Sequence, residues 1–268
     1  MSIKSSIKDL LPPIIIRLAQ KTPKYGFFGS YNSWAEAIKA SKGYDDPAII
    51  EKVRSSLMKV KRGEVAYERD SVVFDEIQYS WPVLAGLLWA ANANDGRLNV
   101  IDFGGSLGSS YFQNLPFLKD LSELSWTIVE QKNFVDIGKK EFEDNQLKFA
   151  YAIDDAKKSE VILLSSVIQY LEKPYEMLEK IVGHGFRYVI FDRTAFLSDH
   201  DRLTVQKVPP RIYDASYPAW FLSENKFKQM FSGTYDLVAE FDSLAGNMRV
   251  NNPAEQAHEK GFIFKRKP

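Results

Sequence analysis

A strand-like run, Asn99-Val100-Ile101, leads into Asp102-Phe103-Gly104-Gly105-Ser106-Leu107-Gly108, and Ser109 to Leu118 then has the pattern of a helix. A glycine turn of this kind allows positive φ and close ligand approach, while the new helix offers free backbone N–H groups; together they suit a nucleoside-bearing ligand. A second strand-like run, Trp126 to Val129, ends in Glu130, 22 residues past Gly108. An acid there is placed to accept hydrogen bonds from ribose hydroxyls. A dinucleotide fingerprint beginning at Gly104 needs glycine at 106 and 109, where the chain has Ser106 and Ser109. Further on, Ser165, Ser166, Gln169 and Tyr170 follow an apolar strand, at the carboxyl edge where open α/β sheets bind ligands. Asp192 and Arg193 end another strand. Asp192, His200 and Asp201 are the candidate proton acceptors, His200 having the ordinary pKa closest to neutrality.

For these residues to meet, the chain from Arg97 onward must fold as strands alternating with helices, the arrangement of a parallel sheet covered on both faces. Seven strands are expected: Leu98 to Phe103, Ser125 to Glu130, Leu147 to Tyr151, Val161 to Ser165, Tyr188 to Asp192, Tyr235 to Phe241 and Gly261 to Lys265. The last two are separated by a polar stretch without helical periodicity, which makes them an antiparallel hairpin at the sheet edge. Residues 1–95 read as a helical cap. Ser33 and Glu36 fit a capping box, Asp46-Pro47 opens a helix running to Gly63, and a third helix is expected from Ser71 to Ala93, kinked near Pro82. Residues 96–268 form the core. Within it the stretch from Ala195 to Ser223 is long for a connection and reads as an acceptor-binding loop carrying His200, Asp201, Arg202, Tyr213, Tyr217 and Trp220.

Composition narrows the function further. Lys plus Arg and Asp plus Glu both number 35 in 268 residues, so no global field gathers nucleic acid. With no cysteine there is no disulfide framework or thiolate nucleophile, and a cytoplasmic setting is the simplest match. The three histidines, His184, His200 and His258, form no spaced ligand pair, so no metal site is expected. The longest apolar stretch, Trp81 to Ala91, is too short for a bilayer span. Residues 1–24 combine Lys4, Lys8, Arg17, Lys21 and Lys24 with apolar side chains, which leaves two readings open: packing on the protein's own core, or peripheral contact with an anionic membrane.

The ending in a hairpin, and Asp102, Gly104, Ser106 and Gly108 in the turn, resemble class I S-adenosylmethionine-dependent methyltransferases, with a Rossmann-like seven-stranded, mostly parallel sheet. More specifically, the chain resembles a bacterial family of class I methyltransferases associated with surface-polysaccharide biosynthesis genes. That resemblance runs through Tyr25 to Gly29, Ser33-Trp34, Tyr67-Glu68-Arg69-Asp70, the turn, Val129-Glu130-Gln131, Ser165 to Tyr170, Asp192-Arg193-Thr194, Arg202 to Gln206, Tyr213, Ser216 to Pro218 and Trp220. It implies S-adenosylmethionine as cofactor, held by Asp102, Gly104, Gly105, Ser106, Gly108, Glu130 and Gln131. Asp154 and Asp155 would contact the adenine, Ser165 and Ser166 the methionine end, and Tyr67 and Arg69 its carboxylate. Gln169, Tyr170, Arg193, Tyr217 and Trp220 would line the acceptor, a small molecule or glycan. Methyl transfer to a sugar-containing intermediate is the implied reaction. A nicotinamide-dependent nucleotide-sugar oxidoreductase and a non-catalytic module of a glycan-assembly complex remain the alternatives.

Overall fold

The computed structural model describes residues 23–42, 47–210, 212 and 214–268. The basic and apolar segment at residues 1–22 lies outside the described residues, as do the Asp46 cap and Tyr213.

The chain opens with strand β1 (Gly26–Tyr31) and helix α1 (Trp34–Lys39). Ser33 Oγ accepts the Glu36 N–H at 3.2 Å, whereas the Glu36 carboxylate reaches the N–H of Asn32 rather than that of Ser33, a capping box displaced by one residue. Helix α2 (Pro47–Lys61) stops before Gly63, whose φ of +72° ends the helical path. The helix expected from Ser71 to Ala93 is shorter: β2 (Tyr67–Arg69) and β3 (Val72–Phe74) form a separate hairpin, and α3 covers only Trp81–Asn92. Val72, Val73 and Phe74 favour extended backbone, and Pro82 stands in the first turn of α3, where its missing N–H costs nothing.

All seven expected strands are present. They are β4 (Arg97–Phe103), β5 (Glu123–Val129), β6 (Leu147–Ala150), β7 (Val161–Ser165), β8 (Tyr188–Leu197), β11 (Tyr235–Asn251) and β12 (Glu255–Arg266). Helices α4 (Ser109–Leu118), α5 (Lys132–Glu141) and α6 (Pro174–His184) connect the parallel strands, and α7 (Glu224–Ser232) precedes β11. The order β6-β5-β4-β7-β8 is wholly parallel, with β12 antiparallel beside β8 and β11 antiparallel beside β12. Successive side chains alternate between two buried faces. Val100 and Leu163 face a cluster with α2, α3, α4 and α5, while Ile101, Ile162 and Leu164 face a cluster with α6 and α7. Both faces are therefore dry, and each fully buried large apolar side chain contributes about 1.5–3 kcal/mol.

Two expectations need correction. The hairpin is not an edge, because β11 pairs with β1, and the stretch from Ala195 to Ser223 is not a loop. β8 runs on to Leu197, followed by β9 (Arg202–Lys207) and β10 (Ser216–Ser223). β1 pairs with β9, β9 with β10, and β10 with the far end of β8 through Leu222↔Phe196 and Ser223↔Leu197. The sheet thus has ten strands and is mixed, six of its strands closing into a ring that shares β8 with the open parallel part. Arg202 masked the alternation of β9. Although charged it is 4% exposed, donating to the carbonyl oxygens of Gly29 and Pro253 and pairing with Glu255 at 3.0 Å. Leu203 and Val205 pack under α1, while Phe27, Leu197, Phe221 and Val250 fill a second cluster.

Candidate functional site

The parallel order places β4 between β5 and β7, so the chain crosses to opposite sides at β4 and leaves a crevice at the carboxyl ends of the strands. Asp102, next to last in β4, is 1% exposed. Its Oδ2 accepts the Trp126 indole N–H at 3.1 Å, whereas Oδ1 has no hydrogen-bond partner. Burial pushes this carboxyl up to about 7; the Trp126 bond and Arg193 oppose the rise and Glu130 adds to it. The turn that follows carries positive φ at Gly104 (+72°), Ser106 (+55°) and Gly108 (+116°). A Cβ on Gly105 would lie 2.5 Å from Asp102 Cγ, and one on Gly104 would lie 2.2 Å from Val167 Cγ2. The glycines therefore let the turn close over Asp102 and against the loop after β7. Ser106 stands where glycine is favoured because its backbone N–H is held: it and the N–H of Gln131 bond the Glu130 carboxylate, against burial, which pushes that group up.

The opposite wall is the tip of β8. Between the pairs Phe262↔Phe191 and Lys260↔Thr194, β8 advances three residues against two on β12, a β-bulge at Asp192-Arg193. Gly261 faces it, and a Cβ there would lie 2.7 Å from the carbonyl oxygen of Phe191. Bulges re-aim side chains, and Arg193 accordingly sits at φ +50°. Asp192 accepts hydrogen bonds from Ser165 Oγ at 3.2 Å and Ser80 Oγ at 3.4 Å; burial pushes it up, with Arg193 the main opposing charge. Arg193 donates through Nε to Ser165 Oγ at 3.2 Å and lies 3.6 Å from Asp70. Burial works against its charge, and Asp70, Asp192, Tyr67 and Glu259 outweigh that. Gln169 donates to the Arg193 carbonyl oxygen at 2.9 Å, leaving its Oε1 unpartnered.

A roof completes the crevice. The β2–β3 hairpin rests on α4, Glu68 accepting from Ser109 Oγ at 2.5 Å, while Asp70 reaches Arg193. Of the seven non-glycine residues with positive φ among the described residues, five (Asp70, Ser71, Ser106, Ser166 and Arg193) belong to these walls and this roof. Backbone strain is concentrated where a ligand site is expected.

The remaining candidates are distributed as follows. Tyr67 is buried and stacked on Phe74 at 5.9 Å, its phenol pushed by burial up to about 12, and Arg69 lies over the same ring. Asp154 and Asp155 are exposed in a short turn after β6, Asp154 lying 3.8 Å from His184. Tyr170 donates to Gln206 at 2.9 Å and meets Tyr217 edge-on at 5.4 Å. Trp220 is half-buried on β10, its indole N–H unpartnered. His200 and Asp201 are not brought to Asp192. His200 lies 3.3 Å from Glu255, and Asp201 accepts from the Tyr175 hydroxyl and the Ser223 N–H and pairs with Lys226. β8 continues five residues past Asp192, roughly 16 Å at 3.3 Å per residue, before the turn that carries them. Sequence reasoning assigned no role to Glu68, Asp70, Ser80 or Glu259. The first two stood inside the Tyr67-Asp70 motif, whereas Ser80 and Glu259 are recruited by tertiary contacts with no local pattern.

No protein-family profile matches the sequence, and no curated protein matches it. Among solved structures it is similar to an S-adenosylmethionine-dependent methyltransferase from Clostridium acetobutylicum ATCC 824, at 12% identity over 80% of this chain and 98% of that one, with a TM-score of 0.44. The N-terminal domain of EvdMO1, determined in the presence of SAH and D-fucose, gives 12% identity over 80% and 97% and a TM-score of 0.46. LepI complexed with SAM gives 8% identity and a TM-score of 0.45; this chain covers 46% of LepI, less than half its length. Likenesses of this degree do not bear on the activity. Among the described residues no helix is long and apolar enough to cross a membrane.

Proposed function

We propose that this chain is an S-adenosylmethionine-dependent methyltransferase acting on a hydroxyl of a sugar-containing intermediate. The observation that carries the reading is electrostatic. In a chain of zero formal net charge, Glu68, Asp70, Asp102, Asp192 and Glu259 all feel one guanidinium, Arg193, and Glu130 acts on Asp102 beside them. Burial raises Glu68, Asp102, Glu130, Asp192 and Glu259 above the ordinary carboxylate range. A cation brought among these acids would offset the burial penalty on their charged forms, whereas a pyrophosphate would add to it. The orphaned Asp102 Oδ1 and the Glu130 carboxylate beside the turn suit a nucleoside bearing positive charge.

When bound, S-adenosylmethionine supplies a methyl group already activated by its sulfonium. What this chain adds is alignment and proton removal. Glu130 holds the ribose. Asp192, raised above its ordinary range and fixed by Ser165 and Ser80, stands at the carboxyl edge to take the proton of an acceptor hydroxyl. Support for a sugar comes from the Tyr170 and Tyr217 rings, which meet edge-on, and from the unpartnered Gln169 Oε1 beside them, a combination suited to a polyhydroxylated ring. Calorimetry of the full chain with S-adenosylhomocysteine and NAD(P), followed by labelled-methyl transfer to glycan acceptors, tests the reading. Homocysteine-nucleoside binding and label transfer are expected. NAD(P) binding alone overturns the proposal in favour of an oxidoreductase, and binding of neither leaves a non-catalytic module.

A further inference from the structure

The pairing of the ring strands fixes which side chains turn inward. Residues directly opposite in an antiparallel pair share a face, so Arg202 lies with Phe221, Thr204 with Ala219, and Gln206 with Tyr217. Phe221 packs with Ala195, Leu197, Val250 and Ala257, contributed by three further strands, and that cluster is the interior of the ring. Glu259 stands opposite Ala195 and shares its inward face. Arg202 and Glu255 close the end remote from the crevice. Ala195, Thr204, Ala219 and Ala257, all buried, form the next layer, and Glu259, Gln206 and Tyr217 come last, at the end where β8 leaves Asp192. These last three are half-buried, so they reach solvent over a floor of small side chains. The mouth they make is tied to the carboxyl edge on two sides. Tyr170, in the loop after β7, donates to Gln206 at 2.9 Å and meets Tyr217 edge-on, while Arg193 and Asp192 are among the charges that act on Glu259. Glu259 also accepts from Ser243 Oγ, which belongs to a bulge: between the pairs Asp242↔Lys260 and Asn247↔His258, β11 advances five residues against two on β12. A β-barrel mouth lined by a carboxylate, an amide and a phenol is a recurrent kind of small-molecule site.

We propose that the mouth of the ring seats the acceptor as a neutral sugar, its hydroxyls donating to Glu259, with Gln206 and Tyr217 against the same sugar and a neighbouring hydroxyl left to Asp192. This deepens the methyltransferase reading and rests on it. Glu259 is then a specificity-determining residue. A carboxylate accepts from hydroxyls and repels another carboxylate, so an acidic sugar is excluded from the mouth.

The test titrates the full-length chain, saturated with S-adenosylhomocysteine, with the methyl glycosides of glucose, galactose and mannose and of the three matching uronic acids, followed by saturation-transfer NMR. Wild type should bind at least one neutral glycoside, and its uronide more weakly by roughly tenfold or more, the range for a charged hydrogen bond. Glu259→Gln should weaken the neutral glycoside by a similar factor and narrow the penalty on the uronide. Gln206→Leu should weaken the same glycoside while S-adenosylhomocysteine affinity stays within about twofold, a split that general unfolding would not give. Binding of S-adenosylhomocysteine with no glycoside bound, equal affinity for the uronide and its parent, or undiminished glycoside affinity in Glu259→Gln overturns the inference and leaves the cofactor reading in place. If Glu259→Gln fails to fold, the uronide comparison and Gln206→Leu decide. Failure of wild type to bind S-adenosylhomocysteine overturns the methyltransferase reading, and the inference with it.

Discussion

The Glu130 carboxylate at the tip of β5 accepts the backbone N–H of Ser106, a residue held at φ +55°, so the strand-end acid and the glycine turn form one hydrogen-bonded unit. Besides holding the turn, Glu130 is the residue that the proposed function assigns to the ribose hydroxyls. Glu130→Ala is expected to weaken S-adenosylhomocysteine binding by roughly 1–3 kcal/mol while shifting thermal stability by less than about 1 kcal/mol. Calorimetry paired with a melting curve checks both halves. Unchanged affinity would remove Glu130 from the site.

Glu68 and Asp102 both rise to about 7, from ordinary values of 4.5 and 3.8. Each binds its proton more tightly folded than unfolded. Their contribution to stability is therefore complete below about pH 4 and declines as the pH climbs to about 7, by on the order of 3–4 kcal/mol per carboxyl. Melting temperatures recorded from pH 4.5 to 8 should fall more steeply for wild type than for Glu68→Gln or Asp102→Asn. Parallel curves would show that these acids are not buried as described.

Arg193 is the counter-charge of the β8 tip. Arg193→Met leaves Asp70, Asp192 and Glu259 without it and is expected to cost about 2–4 kcal/mol at pH 7.5. Because the uncompensated groups are carboxyls, protonation should restore part of that loss near pH 5. Denaturant unfolding at the two pH values reads the difference, and a pH-independent loss would mean that Arg193 acts through packing alone.

Two glycines give opposite expectations. Gly261 lies 2.1 Å, by its absent Cβ, from the Phe241 ring and 2.7 Å from the Phe191 carbonyl oxygen, so Gly261→Ala should destabilise by about 1–3 kcal/mol or more. Gly183 in α6 has nothing within 4 Å, and Gly183→Ala should stabilise by up to about 1 kcal/mol. Thermal melts of the two variants provide the comparison.

Much of this architecture was legible in the sequence because its signals are local. Val161 to Ser165 reads as a strand from its apolar run, and Gly104 to Gly108 as a turn from its glycines. The ring was not legible, for two reasons. β1 is a short Phe-Gly-rich stretch whose strand partners lie more than a hundred residues away, and β9 hides its pattern behind Arg202, whose buried charge is satisfied by Glu255 and by the carbonyl oxygens of Gly29 and Pro253. In the site, Glu130 and Asp192 were singled out because each ends an expected strand, although β8 runs on past Asp192 to Leu197. His200 and Asp201 seemed suited to acid–base chemistry by residue type, yet their side chains are engaged by Glu255, Tyr175 and Lys226.

The bulge at Asp192-Arg193 has a bearing on how this chain tolerates change in length. Below it β8 belongs to the open sheet; above it, to the ring, with the inward and outward alternation offset by the extra residue. Removing one amino acid at this point would turn Ala195, Phe196 and Leu197 to the wrong sides, uncoupling them from β10 and β12 together. The crevice and the ring consequently share a single reading frame along one strand, so neither can be lengthened or trimmed through β8 without re-registering the other.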